Sequence, residues 1–359
     1  MDTLQRDYPW TRSPLVACAP MRLIALAPLA VEVSKAGGLG FIGAGSDIAT
    51  LASLLSEARQ LLSSSVSLAT HDDTLPLGVG FLLWAFSTPP DSLLAVLAEH
   101  TPAAIWLFAP RRPADLQSWT QRIREATRGR SKIWIQVGTV AEAISAVKDC
   151  QPEVLVVQGT DAGGHGLEAG AGLVPLLPEV ADAVSSAVTS SSERLYMPAL
   201  IATGGISDGR GLAASIALGA QGIVMGTRYL AAPEANISQG YQRAVLRSKD
   251  GGSTTVRSKV YDGLRGTTDW PRHYGGRGII NESYRDALAG LSAEENKRLY
   301  DEAVKTGDAG WGEEGGGGRL TAYAGAGVGL VREVKRAGEI TDEVREEGRK
   351  VLRRAASKL

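Results

Sequence analysis

Short apolar runs recur along the first 230 residues of the chain, and glycine, proline or polar positions bound each of them. The runs are continuously apolar rather than alternating, which is typical of parallel strands that are covered on both faces. The pattern predicts eight strands, over residues 15–19, 39–42, 77–83, 103–108, 132–137, 154–157, 199–202 and 222–225.

Amphipathic periodicity fills the segments between these strands. It predicts helices over residues 27–36, 48–62, 91–99, 116–127, 140–148, 173–188 and 209–218. Repeated alternation of strand and helix indicates an α/β fold, and a (β/α)₈ TIM barrel in particular. An open, doubly wound sheet is the competing arrangement. The similarity of the units, and the lack of G-x-G-x-x-G after the first strand, favour the barrel.

The sequence changes character after Pro233. Residues 240–320 mix charged residues with glycine pairs and show no barrel-like strand pattern. We interpret this segment as the eighth helix followed by a helical, glycine-rich insertion near the barrel mouth. It forms either a lid or, around residues 315–318, a surface loop. The predicted barrel spans residues 12–235 and 321–359, and a charged terminal helix covers residues 341–358.

Composition and charge exclude several classes of protein. The 359 residues are 44% hydrophobic and 21% charged, which suits a globular chain with a large core. A net charge of −1 gives no overall attraction for nucleic acid or an anionic membrane. The apolar stretch over residues 14–33 contains three prolines and Arg22, so we expect neither a membrane span nor a secretory signal. The two cysteines, Cys18 and Cys150, are too few for a disulfide framework or a thiolate zinc site.

The last three residues, Ser357, Lys358 and Leu359, form the S-K-L tripeptide that addresses proteins to the peroxisome. The alternative interpretation is the polar end of a charged helix. We expect a peroxisomal protein that binds the import receptor through this tripeptide. Without import, the protein would be cytoplasmic.

Glycine-rich loops follow strands seven and eight, where barrel enzymes commonly hold phosphate. Gly204 and Gly205 follow strand seven, and Gly226 and Thr227 follow strand eight. Glycines let backbone amides approach a phosphate, and the Thr227 hydroxyl is one more donor. The helix start after strand seven adds a favourable dipole. These loops therefore predict a phosphate site, with simple turns as the alternative.

His165 lies in a glycine-bracketed loop after strand six, where core packing does not require a histidine. An imidazole there can act as a general base or stabilise an anion. Gln158, at the end of the same strand, faces either a ligand or the next strand, and Asp161 is interpreted as a turn cap. The remaining histidines are interpreted as structural residues; they are His71, His100 and His273.

The ends of strands one and three also reach the predicted mouth. Residues 19–21 form a bend with exposed backbone, and Arg22 is either an anion partner or a solvated charge. Cys18 is interpreted as a small buried residue, because no histidine-paired motif surrounds it. Trp84 and Phe86 either line a pocket or pack in the core.

Five motifs, in this order, resemble the nitronate monooxygenase family, formerly called 2-nitropropane dioxygenase. They are APM at residues 19–21, SKAGGLGFIGAG at 34–45, QGTDAGGH at 158–165, ATGGISDGR at 202–210 and MGTR at 225–228. Residues 324–330 look like the late glycine turn of the family. The resemblance covers about residues 12–235.

The resemblance implies a barrel that holds FMN non-covalently and oxidises alkyl nitronates, or nitroalkanes, with O₂ to a carbonyl compound and nitrite. His165 matches the catalytic histidine of the family and would deprotonate a nitroalkane or hold the anionic nitronate. The resemblance implies that Gly204, Gly205, Gly226 and Thr227 bind the FMN phosphate. The residues it places along the flavin and ribityl are Ala19, Pro20, Met21, Gln158, Gly163 and Gly164.

Three positions depart from the family pattern. Asp161 replaces the usual glutamate, Lys35 stands where asparagine is common, and Gly80 stands where many members have an asparagine near the flavin. The last departure bears on the substrate. Relatives with the same framework reduce enoyl thioesters or quinones with NAD(P)H, and this is the alternative function. A barrel that binds a phosphate ligand without turnover is the third.

Overall fold

The computed structural model describes residues 3–46, 48–63, 68–71, 73–192, 195–312 and 317–358. Within these ranges the strands are β1 Leu15–Cys18, β2 Leu39–Gly45, β3 Leu75–Leu82, β4 Pro102–Phe108, β5 Lys132–Val137, β6 Val154–Gln158, β7 Gly164–Leu167, β8 Ala199–Thr203, β9 Gly222–Met225, β10 Thr255–Ser258 and β11 Tyr274–Ile279. The helices are α1 Thr3–Asp7, α2 Ala27–Lys35, α3 Leu51–Ser63, α4 Asp91–His100, α5 Pro113–Thr127, α6 Val140–Cys150, α7 Leu173–Ser190, α8 Gly209–Ala217, α9 Gln239–Arg247, α10 Gly251–Thr254, α11 Val260–Arg265, α12 Glu282–Leu288, α13 Ala293–Lys305 and α14 Ala337–Ala356.

Eight parallel strands close into a barrel in the order β1-β2-β3-β4-β5-β6-β8-β9. The ring closes where β1 pairs with β9, with Leu15 opposite Gly222 and Cys18 opposite Met225. Each barrel strand coincides with a predicted one to within three residues at either end. The predicted TIM barrel is therefore confirmed. Its strands could be predicted because strands buried on both faces are continuously apolar.

An aromatic plug fills the lower half of the barrel. It consists of Tyr8, Phe41, Trp106 and Trp134, all buried. The Phe41 ring lies 5.2 Å from that of Trp106 and 5.0 Å from that of Trp134, and Trp134 Nε1 donates to the Tyr8 hydroxyl at 2.7 Å. Because the plug occupies the end where the strands begin, the open space of the barrel lies at their carboxyl ends.

The eighth barrel helix is α14, at the carboxyl end of the chain. It packs on α8, α2 and β1, which closes the helical ring. We predicted the eighth helix within residues 240–320, and this prediction is wrong. Helix α9, the first helix of that segment, packs instead against the short helical turn 307–311. The apolar face of α14, with Ile340 and Val344 buried, supplies the surface that the barrel requires.

The insertion is not helical throughout, which corrects our description of residues 240–320. After β6 the chain leaves the barrel and forms β7. Strands β10 and β11 form an antiparallel sheet with β7. We missed these strands because glycine-rich segments such as 274–279 resemble turns, and only the pairing of β11 with β7 makes them strands. Within the described residues, no helix has the length and apolar character that crossing a membrane requires.

Both cysteines are buried, as expected for Cys18. Burial raises the pKa of the Cys150 thiol to about 11, and it raises the pKa of Cys18 further. Both thiols are therefore protonated at neutral pH, which makes them poor nucleophiles.

Candidate active site

A cavity of about 1030 Å³ opens at the carboxyl ends of the barrel strands, above the aromatic plug. Every predicted site residue borders it: Ala19, Pro20, Met21, Gln158, Gly163, Gly164, His165, Gly204, Gly205, Gly226 and Thr227. Its volume is at the upper end of the range for ligand pockets. The structure thus brings all these residues to one space that is large enough for a cofactor and a substrate together.

The bend after β1 forms one side of the cavity. The backbone amide of Met21 donates to the carbonyl of Ala19 at 2.9 Å, which turns the chain across the mouth. A side chain at Gly80 would place its Cβ 2.2 Å from Cβ of Pro20. The glycine at this departure from the family pattern therefore lets Pro20 lie against β3, and an asparagine there would require Pro20 to move.

The loop after β8 needs its two glycines. Gly204 has φ +109° and Gly205 has φ +75°, a region that disfavours other residues. A Cβ on Gly204 would lie 2.8 Å from the carbonyl oxygen of Gly159, and one on Gly205 would lie 2.9 Å from Cβ of Asp161. The left-handed pair thus packs tightly on the loop after β6 and presents bare backbone to the cavity.

Thr227 and the late glycine turn complete this end of the cavity. The Thr227 hydroxyl oxygen accepts a hydrogen bond from the amide of Gly325 at 2.9 Å, so its own proton is left to donate to a ligand. Gly327 packs so closely that a Cβ would lie 2.4 Å from the carbonyl oxygen of Gly205. Residues 325–327 therefore brace both glycine loops, a role that the sequence did not reveal.

Two carboxylates cap the amino terminus of α8. The Asp208 side chain accepts from the amides of Arg210 and Gly211, and Glu347 accepts from the amide of Gly209 at 2.7 Å. These carboxylates already satisfy the first amides of the helix. These carboxylates offset the favourable helix dipole that we expected after the seventh predicted strand, which is β8. The glycine loops and Thr227 remain as candidate anion-binding groups.

Arg257, on β10, holds the segment between β6 and β7, which leads into His165. Its guanidinium is largely buried and donates to four backbone carbonyls. They are those of Gly164 at 3.0 Å, Gly275 at 2.6 Å, Thr160 at 3.1 Å and Ala162 at 2.8 Å. Burial lowers the pKa of Arg257 to about 10, and the neighbouring Arg277 lowers it too. The side chain stays charged at neutral pH. It therefore fastens the insertion sheet to the barrel loop, although nothing in its sequence context distinguishes it.

His165 lies on β7, where its backbone pairs with Gly276 of β11 and its carbonyl accepts from Gln158 Nε2 at 3.1 Å. The imidazole stacks on Trp270, with ring centroids 3.8 Å apart and planes 4° from parallel. Nε2 lies 2.8 Å from Oδ1 of Asp262. We missed Asp262 and Trp270 because both lie in the insertion, distant from His165 in sequence.

Aromatic side chains line the wall beside His165. The Trp270 ring lies 5.5 Å from that of Trp84 and 6.0 Å from those of Phe108 and Tyr274. Trp84 borders the cavity, as one of our two interpretations held. Phe86 instead packs in the core and accepts from Trp119 Nε1 through its carbonyl.

Several other residues that we considered lie at the rim of the cavity or away from it. Arg22 is exposed at the cavity rim, and Lys35 pairs with Glu32 on α2 at 2.9 Å, away from the cavity. Asp161 supports the glycine turn, since its carbonyl accepts from the amide of Ala326 at 2.9 Å. The other three histidines do not border the cavity; they are His71, His100 and His273.

Comparison with known proteins identifies the family of this chain. The family model described as nitronate monooxygenase matches residues 114–343. Nitronate monooxygenase npaC of Metarhizium robertsii is 46% identical, covering 97% of this chain and 95% of that protein. Nitronate monooxygenase of Neurospora crassa is 37% identical, covering 97% of this chain and 92% of that protein.

Solved structures share the fold. FabK from Thermotoga maritima superposes with a TM-score of 0.72 at 23% identity, covering 99% of both chains. Nitroalkane oxidase from Streptomyces ansochromogenes superposes with a TM-score of 0.72 at 22% identity, covering 99% of this chain and 100% of that one. From the family match and the two close relatives, we conclude that this chain belongs to the nitronate monooxygenase family.

Proposed function

We propose that this chain is an FMN-dependent nitronate monooxygenase that oxidises alkyl nitronates, and nitroalkanes, with O₂ to a carbonyl compound and nitrite. One observation carries the proposal: a bare-backbone anion cradle and a histidine face the same cavity. The names of the two close relatives support the reaction class.

The residues present fit FMN. Gly204 and Gly205 hold a backbone conformation that leaves the cradle clear of side chains, and Thr227 has a hydroxyl proton free to donate. These groups and Gly226 would bind the phosphate. Ala19, Pro20, Met21, Gln158, Gly163 and Gly164 would lie along the flavin and ribityl.

When bound, FMN supplies the redox chemistry between the nitronate and O₂. The protein's own part is to bind, orient and manage protons. His165 removes the α-proton of a neutral nitroalkane or, as the protonated imidazolium, donates a hydrogen bond to an anionic nitronate. The aromatic wall around Trp270 keeps water from this side of the substrate.

An anaerobic absorption spectrum of the purified protein tests cofactor and reaction class together. We expect a yellow protein whose flavin is bleached by an alkyl nitronate and only slowly by NADPH. With air admitted, the protein should consume O₂ and release nitrite. Rapid bleaching by NADPH, without a response to nitronate, would instead indicate a reductase of enoyl thioesters or quinones. A colourless protein that FMN cannot reconstitute would indicate a barrel that binds phosphate ligands without turnover.

We further propose that the protein acts in the peroxisome and is recognised by the import receptor through Ser357, Lys358 and Leu359. Ser357 and Lys358 are exposed at the end of α14, and Leu359 lies outside the described residues. An amino-terminal fluorescent fusion should coincide with a peroxisomal marker. Deletion of these three residues should disperse it through the cytoplasm, and an unchanged distribution would contradict the proposal.

A further inference from the structure

His165 and Asp262 form a buried pair that neither the family resemblance nor the sequence pattern assigns. Nε2 of His165 lies 2.8 Å from Oδ1 of Asp262, and the two side chains are 12% and 7% exposed. Among the described residues, His165 is the ion-pair partner of Asp262. A buried carboxylate without compensation is costly, so this contact satisfies both groups.

The hydrogen bonds to Asp262 determine which nitrogen of His165 carries the proton. Oδ1 also accepts from the hydroxyls of Thr267, at 3.0 Å, and Tyr323, at 3.3 Å. Burial, and secondarily the charge of Asp262, raises the pKa of Tyr323, so that this hydroxyl stays protonated and can donate. An oxygen that accepts from two hydroxyls is an acceptor toward the imidazole as well. The contact therefore requires N–H at Nε2.

With Nε2 committed to Asp262, Nδ1 of the neutral ring holds the free lone pair. Nδ1 has no hydrogen-bond partner among the described residues, and His165 borders the cavity. The parallel stack of Trp270 on the imidazole, at 3.8 Å, restricts rotation of the ring. The two contacts together leave Nδ1 as the nitrogen that a ligand can reach.

We propose that Asp262 is a positioning residue that holds His165 in the Nε2-protonated tautomer, presents Nδ1 to the substrate, and balances the positive charge when Nδ1 accepts a proton. In this step, which rests on the proposed function, the Cα–H bond of the nitroalkane breaks and an Nδ1–H bond forms. The electron pair of the C–H bond becomes the C=N bond of the nitronate, and its negative charge resides on the nitro oxygens. No redox partner is needed.

Kinetics with two substrate forms separate this role from a structural one. In Asp262→Asn the carbonyl can still accept from Nε2, but the negative charge is lost. We expect kcat/KM for a neutral nitroalkane to fall roughly 10²-fold, because the imidazolium loses its counter-charge. With the preformed nitronate no proton is abstracted, so its kcat/KM should change far less and its KM should not rise.

Asp269→Asn is the matched control. It makes the same charge change at a carboxylate that is exposed on the cavity rim and has no bond to His165. Asp269→Asn should leave the activity ratio of the two substrates unchanged. Asp262→Glu, which keeps the negative charge, should retain part of the nitroalkane activity that Asp262→Asn loses. Equal losses for both substrates in Asp262→Asn, accompanied by a lower melting temperature, would overturn the positioning role.

A second measurement does not depend on turnover, and its readout comes from the wild-type protein. The chain contains four histidines, so selective ¹⁵N-histidine labelling gives a simple spectrum, in which comparison with His165→Ala identifies the His165 signals. We expect the Nε2–H tautomer in both the FMN-loaded and the cofactor-free wild type. An Nδ1–H tautomer or an exchanging mixture would overturn the proposal. If the wild type oxidises only preformed nitronate, the tautomer seen in this spectrum is the test of the role of Asp262. If it oxidises neither substrate, the proposed function fails and the tautomer is still tested.

Discussion

His165→Ala is expected to lower kcat/KM for a neutral nitroalkane by about 10³- to 10⁴-fold, the upper range for loss of a positioned general base. For the preformed nitronate we expect a much smaller loss, because no proton is abstracted from it and the neutral imidazole presents a lone pair at Nδ1 rather than a donor. Steady-state O₂ uptake with both substrate forms measures the two effects.

His273→Ala is the control for this variant. His273 lies in the same insertion sheet region and its ring packs 4.4 Å from Tyr274, but it is exposed and does not border the cavity. It should retain wild-type kinetics. Both variants should keep their bound flavin, as judged from absorbance per chain. Full activity toward nitroalkane in His165→Ala would remove the imidazole from the mechanism.

Gly204→Ala is expected to weaken FMN binding by more than about tenfold, which corresponds to roughly 1.4 kcal/mol. The added Cβ would lie 2.8 Å from the carbonyl oxygen of Gly159, so the phosphate loop must move away from the loop after β6. Titration of the cofactor-free variant with FMN, followed by flavin fluorescence, gives the dissociation constant.

Gly219→Ala is the control for this variant, because it introduces backbone strain without displacing a loop at the cavity. Gly219 has φ +106°, nearly the same as the +109° of Gly204, but a Cβ added there would have no atom of the described residues within 4 Å, and Gly219 does not border the cavity. A left-handed conformation costs any other residue about 1–2 kcal/mol, so both variants should be less stable. Only Gly204→Ala should lose affinity for FMN. Equal affinity in the two variants would show that the phosphate does not depend on this loop.

The fold could be predicted because its determinants are local. Continuous apolar runs such as 132–137 identify parallel strands, and their recurrence with helices between them identifies a barrel. The barrel in turn places the ends of all strands at one rim, so Gly204, Gly226 and His165 could be assigned to one site from three separate loops. The insertion could not be predicted in the same way, since β7, β10 and β11 are short and interrupted by glycine or polar residues.

The sequence by itself determined the barrel, the glycine loops that suit a phosphate, and the histidine beside them. Each is encoded in a short, continuous stretch of the chain, so local residue types are enough to indicate it. Only the tertiary structure decided that α14 completes the barrel, that Arg257 holds the segment leading into His165, and that Asp262 contacts an imidazole 97 positions away. Such contacts arise from the antiparallel pairing of β11 with β7 and from the packing of the insertion, neither of which leaves a periodic signal in the chain.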